Sequence, residues 1–229
     1  PNHVSSVVTV EGPADDVAAF FAKHFPEGDE EQSFDFQRII PCPEETINAQ
    51  AGSVAEDGAR LLLIASQNPF NGSTGGLYPN RWEAIAATVV EAGPRPKDIA
   101  KAYLAKNPEY EAEGRKRFAS ILASGYSDWY EWNCDNWGTK WNAYEVERTE
   151  TGFNFQTAWG FPRPIFEALI EHHPTLTFDI SCFDEGWNFG GEGQMGAEVQ
   201  KPFDTFSEPS DALFEAVYGH PPEREDEED

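Results

Sequence analysis

From its amino end the chain sets apolar and polar positions in alternation. Val4-Ser5-Ser6-Val7-Val8-Thr9-Val10 is β-branched and predicts a strand. Gly12-Pro13 breaks the pattern. Residues 14–25 then bring Val17, Phe20, Phe21 and Phe25 to helical spacing, with Asp15 and Asp16 in the first turn, where the helix dipole favours acids. Residues 34–40 return to period two through Phe34 and Phe36 and predict a second strand, stopped by Pro41 and Pro43. The first forty residues therefore read as a β-α-β unit.

The middle of the chain is mostly helical in pattern. Residues 71–79 have the composition of a loop, and 81–92 read as a helix ended by Gly93-Pro94. Residues 98–106, 109–122 (despite Gly114) and 127–136 read as three more helices, the last with Trp129 and Trp132 on one face. Strands then resume. Residues 142–149 and 152–159 flank a turn at Glu150-Thr151-Gly152, a hairpin signal. Residues 164–172 predict a helix that opens on Pro164 and carries Ile165, Phe166, Leu169 and Ile170 on one face. Residues 176–183 alternate as a half-buried strand, 190–193 predict a turn, and 194–200 predict an edge strand. The predicted class is α+β. The order is β-α-β, helical insert, β-β-α-β with a further edge strand, and with the insert removed it is read as a ferredoxin-like split β-α-β antiparallel sheet with helices on one face. The expected domains are a ferredoxin-like sandwich of residues 1–41 and 137–203, a helical insert of residues 42–136, and a short helix with an acidic disordered tail over 204–229.

Composition narrows the function. Among 229 residues, 41 are acidic and 16 basic, a formal charge of −25. Binding to duplex nucleic acid by phosphate neutralisation needs Lys and Arg, so direct nucleic-acid binding is not expected, and anionic membrane surfaces would repel the chain. No apolar run approaches the length of a membrane helix, and the opening residues show no signal-peptide pattern. Aromatic residues at 14% argue against an acidic disordered chain. Three cysteines, Cys42, Cys134 and Cys182, suit a reducing cytosol, so a cytoplasmic setting is expected. The charge is uneven: residues 81–117 hold eight basic and six acidic residues, so the acidity lies in the rest of the chain.

Three stretches, Pro1-Asn2-His3-Val4, Asn136-Trp137-Gly138-Thr139-Lys140-Trp141-Asn142-Ala143-Tyr144 and Phe155-Gln156-Thr157-Ala158-Trp159-Gly160-Phe161-Pro162, resemble the YubB-like family of phage and plasmid proteins. The resemblance implies a ferredoxin-like domain, a mobile-element origin and an intracellular setting in a host cell. It implies no catalytic residues.

The residues themselves carry no motif for catalysis. His3, His24, His172, His173 and His220 lack metal-site spacing, no nucleophile elbow or phosphate loop occurs, and no carboxylate pair stands out among so many. No cofactor is expected, and the expected role is binding rather than turnover. Two surfaces are candidates. One is acidic: Glu27, Asp29, Glu30 and Glu31 after the first helix, and Glu145, Glu147 and Glu150 on the hairpin. Alternation puts Glu145 and Glu147 on one face of their strand. Such a face imitates the charge of nucleic acid and would engage a basic host protein, expected to be a nucleic-acid-handling defence complex, as an inhibitor; solubility is the competing account of the same charge. The other is a tryptophan groove made of Trp129, Trp132, Trp137, Trp141 and Trp159, with Lys140 over a ring, which would bind a small ligand or peptide; packing in the core is the alternative role for these rings. Self-association is left open.

Overall fold

A computed structural model of the chain describes residues 1–26, 28, 33–66 and 96–223. The elements in order are β1 (His3–Glu11), α1 (Ala14–His24), a 3-10 turn (Phe36–Arg38), α2 (Glu44–Ile47), α3 (Ser53–Ser66), α4 (Pro96–Lys106), α5 (Pro108–Ser124), α6 (Trp129–Asn136), β2 (Tyr144–Arg148), β3 (Gly152–Ala158), α7 (Arg163–His172), β4 (Thr177–Asp184), β5 (Gly190–Gly196), β6 (Asp204–Ser207) and α8 (Asp211–Tyr218). The predicted loop at 71–79, the predicted helix at 81–92 and the acidic tail from residue 224 onward lie outside the described residues. Among the described residues no helix is long and apolar enough to cross a membrane. The chain divides into two compact units, one of residues 1–41 with 133–229 and one of residues 42–132.

The first unit is an α+β layer structure. Its sheet has the order β2-β3-β1-β4-β5-β6, with every neighbouring pair of strands antiparallel. β1 holds the centre because its alternation is the cleanest in the chain: Val4, Ser6, Val8 and Val10 are buried and the residues between them are not. Register carries that face across the sheet, with Val8 opposite Phe153 and Ile180, and Val10 opposite Phe178. α1 and α7 both pack on it. Phe20 of α1 lies 6.1 Å from the Phe153 ring and 5.5 Å from Phe178, and Phe166 of α7 lies 6.5 and 5.6 Å from the same two rings. The core is a phenylalanine cluster, and large aromatic area supplies most of its burial free energy.

Residues 34–40 do not form the predicted strand. Phe34 takes a left-handed conformation, φ 51°, and Asp35 caps a 3-10 turn by accepting the Gln37 N–H at 2.9 Å. Asn142 ties the turn down: its amide donates to Asp35 Oδ1 at 2.7 Å and its Oδ1 accepts the Phe36 N–H at 2.8 Å. The Phe34/Phe36 alternation arises because one tight turn drops both rings into the core, and a side-chain cap competes successfully with ladder pairing. Residues 190–200 need correcting too: 190–193 are not a turn but the start of β5, and β5 is not the expected edge strand, because it pairs with β4 on one side and β6 on the other; Gly191 has room only for a hydrogen, since a Cβ would come within 2.7 Å of Asp204 O.

The second unit is helical. Leu61, Ala100 and Leu104 form its core cluster, flanked by Leu62, Ala65, Tyr103 and Tyr110. α6 begins in this unit because Asp128 accepts the N–H groups of Tyr130 and Glu131, both at 3.1 Å, while Arg117 pairs with its other oxygen at 3.1 Å. Gly114, an odd residue inside a helix, meets Gly58 where α5 crosses α3. A Cβ on Gly58 would stand 1.9 Å from Tyr110 O, and one on Gly114 would stand 2.4 Å from Gly58 C. Alanine ordinarily stabilises a helix interior by about 1 kcal/mol over glycine. Here the collision is with backbone, which cannot rotate away, so the helices must separate. Gly58→Ala and Gly114→Ala are each expected to cost about 1–3 kcal/mol, seen as a lower melting temperature; an unchanged or raised one would refute the tight crossing.

Candidate functional site

The acidic candidates are described only in part. Glu27, Asp29, Glu30 and Glu31 lie outside the described residues. Glu145, Glu147 and Glu150 are on the β2–β3 hairpin, all exposed, and no ion pair among the described residues uses them. The simple alternation expected for Glu145 and Glu147 fails. Tyr144 pairs with Gln156 and Glu147 with Asn154, so β2 spends three steps where β3 spends two. The extra residue is a bulge, and Glu145 sits in it at φ 49°. The hairpin's cation, Arg148, lies over the Phe21 ring at 4.4 Å from its centroid.

The tryptophans divide between core and surface. Trp129 is half-buried and meets Tyr130 edge-on at 6.0 Å; Trp132 is buried; both belong to the second unit. Trp137 is buried in the first unit, its indole N–H donating to Ile40 O at 2.9 Å and its ring edge-on to Phe36 at 5.8 Å. Trp141 and Trp159 are exposed by 37% and 44%. Between them stands the Lys140 ammonium, 4.7 Å from each ring centroid, so the lysine expected over a ring lies over two. Its second ring is the distant Trp159, not Trp137.

Trp159 reaches this position through strain. It follows β3 in the left-handed region, φ 74°, and donates its N–H to Asn2 O at 3.0 Å. A side chain in that region costs roughly 1–3 kcal/mol unless its surroundings impose it. Thr139 and Thr157 do so by donating to Ala158 O at 2.7 Å and Gly160 O at 2.8 Å. Trp187 was not singled out from the sequence. It sits in the turn after β4 at φ 56°, 40% exposed, with one face stacked on Phe214 at 5.5 Å. The signal was present: a tryptophan inside Glu185-Gly186-Trp187-Asn188, a string of turn-forming residues, is displayed rather than packed.

β3 and β4 both run against β1, so their carboxyl ends meet its start. Here His3 Nδ1 and the Tyr144 hydroxyl share a hydrogen bond of 2.5 Å, and Tyr144 donates onward to Thr157 O at 3.1 Å. Burial first, then the negative charges of Glu185 and Glu145, push the Tyr144 phenol above its usual range, so it stays protonated. Among the described residues no group of three His, Cys, Asp or Glu side chains converges to hold a metal.

Comparison with known proteins adds no function. No family model and no curated protein matches the chain. The crystal structure of protein api92 from Yersinia pseudotuberculosis, of family DUF1281, aligns with 91% of this chain and 99% of its own at 9% identity; its TM-score of 0.39 carries no argument.

Proposed function

We propose that this chain is a binding protein without catalytic activity, which holds a basic, nucleic-acid-handling protein against an acidic surface built on a ferredoxin-like core. Support for the core is the order β1-α1-β2-β3-α7-β4 combined with the spatial order β2-β3-β1-β4, to which β5 and β6 add an edge. The binding reading is carried by one observation: a chain of net charge −25 leaves Glu145, Glu147 and Glu150 exposed, with no ion pair among the described residues to neutralise them. Carboxylates so displayed attract cations over about 10 Å at 0.1 M salt and speed the encounter with a basic partner. A host defence complex as partner and a phage or plasmid setting come from the sequence resemblance and belong to the same proposal.

Charge reversal tests it. A lysine-rich peptide should bind the chain tightly at low salt and lose affinity steeply as salt rises. Lysine at Glu145, Glu147 and Glu150 together should weaken binding about tenfold or more, while lysine at Glu225, Glu227 and Glu228 should spare most of it. Small, equal losses from both triple variants would assign the charge to solubility.

A further inference from the structure

We infer that the end of the sheet where β1 begins is a docking surface for an arginine-bearing segment of a basic partner. The inference rests on the acidic-binding reading above and gives that binding a place. Three observations converge.

The first is aromatic display. The ends of β3 and β4 flank the start of β1, so Trp159 and Trp187 stand on either side of Asn2 and His3, and both are exposed. Each is fixed by backbone: Trp159 donates to Asn2 O at 3.0 Å and Trp187 to Asp184 O at 2.9 Å. The turn under Trp187 is pinned by the buried Asp184 carboxylate, which accepts the Asn188 N–H at 3.1 Å and the Asn188 side-chain amide at 2.6 Å. Rigid, exposed indoles contribute contact area with little ordering entropy.

The second is charge. Glu185 is exposed and held at this end, since its N–H donates to His3 O at 2.9 Å and its Oε1 accepts the His3 N–H at 2.8 Å. Glu145, in the bulge at the start of β2, is also exposed, and it acts on Tyr144 together with Glu185. The surface thus sets carboxylates beside indole faces. An anionic ligand would be repelled, and a purely apolar one would bury carboxylates without partners.

The third is that the chain already places a cation against one of these rings, Trp159. Lys140 lies 4.7 Å from the centroids of both Trp141 and Trp159. Of the natural cations, guanidinium fits the remaining surface best. It is planar, stacks on indole, sheds water more readily than an ammonium and takes a carboxylate through two parallel hydrogen bonds.

The experiment measures fluorescence anisotropy of labelled nona-arginine, nona-lysine and an uncharged apolar peptide with the full chain at low and high salt. Nona-arginine should bind more tightly than nona-lysine, and the apolar peptide weakly. Trp159→Ala and Trp187→Ala should each lower nona-arginine affinity about tenfold, with little change for nona-lysine. Trp159→Phe, which keeps an aromatic face and tests for folding damage, should recover part of the loss at an unchanged melting temperature. If both cationic peptides bind equally and ignore the tryptophans, this docking surface is refuted while the acidic reading stands. If neither binds, both fail. If the apolar peptide binds as tightly as nona-arginine, the surface serves a different partner and the inference is overturned.

Discussion

Trp137→Ala will cost the first unit about 3–5 kcal/mol, the usual loss for a buried large aromatic, whereas Trp141→Ala will cost about 1 kcal/mol or less. The difference comes from placement alone. Trp137 is 6% exposed, touches Phe36 and donates its only polar hydrogen to Ile40 O at 2.9 Å. Its removal leaves both a void and the Ile40 carbonyl without its indole donor. Trp141 is 37% exposed and gives up chiefly its contact with the Lys140 ammonium. Melting curves of the two variants check this, and equal shifts would contradict the division between core and surface rings.

Acid will destabilise the first unit through a histidine pair. His24 is buried, and its Nε2 lies 3.1 Å from Nε2 of His173, so one ring donates and the other accepts, and at least the accepting imidazole must be neutral. Burial, then the nearby positive charge of His173, Lys23, Arg38 and His172, pushes His24 down from 6.5 to about 3. His173 is lowered as well, chiefly by burial. The folded state therefore refuses protons that the unfolded chain accepts below pH 6.5. Stability is full above that pH and falls as pH drops toward about 3, by at most about 1 kcal/mol per unit for His24. Denaturation series from pH 7 to pH 4 should show this slope in the wild type and a shallower one in His24→Phe, whose ring has similar volume and no proton to take. Parallel slopes would assign the acid response to the carboxylates.

Pattern in the sequence was sufficient where one face of an element alone is buried. β1 and β3 alternate because α1 and α7 cover one side of them, and α7 shows its stripe for the same reason; β4 alternates until its end, where Phe183 turns to the other face and packs on Phe214 of α8 at 5.4 Å. Pattern misled at residues 34–40, since two aromatics delivered by a turn look the same as two on a strand, and the Asn142 contact that favours the turn is more than a hundred residues away. Gly114 looked like a flaw in a helix because its reason, Gly58, lies on another element. The tryptophan and acidic sites were legible as residue types and not as places. Whether an indole is core or surface depends on which neighbours the fold brings, and the bulge at Glu145 leaves no mark in the alternation of its strand.

The central position of β1 governs the order in which the chain can be built. His3 pairs with Ala158 and Val4 with Asp184, so the innermost strand, made first, has no partner until the last third of the sequence emerges. At synthesis rates of roughly 5–20 residues per second, that wait is on the order of ten seconds. During it, the helical unit of residues 42–132 can complete its own contacts. Once those contacts are complete, the insert no longer adds a fully flexible segment to the closure of β1 on β3, and the search for strand partners is correspondingly less costly.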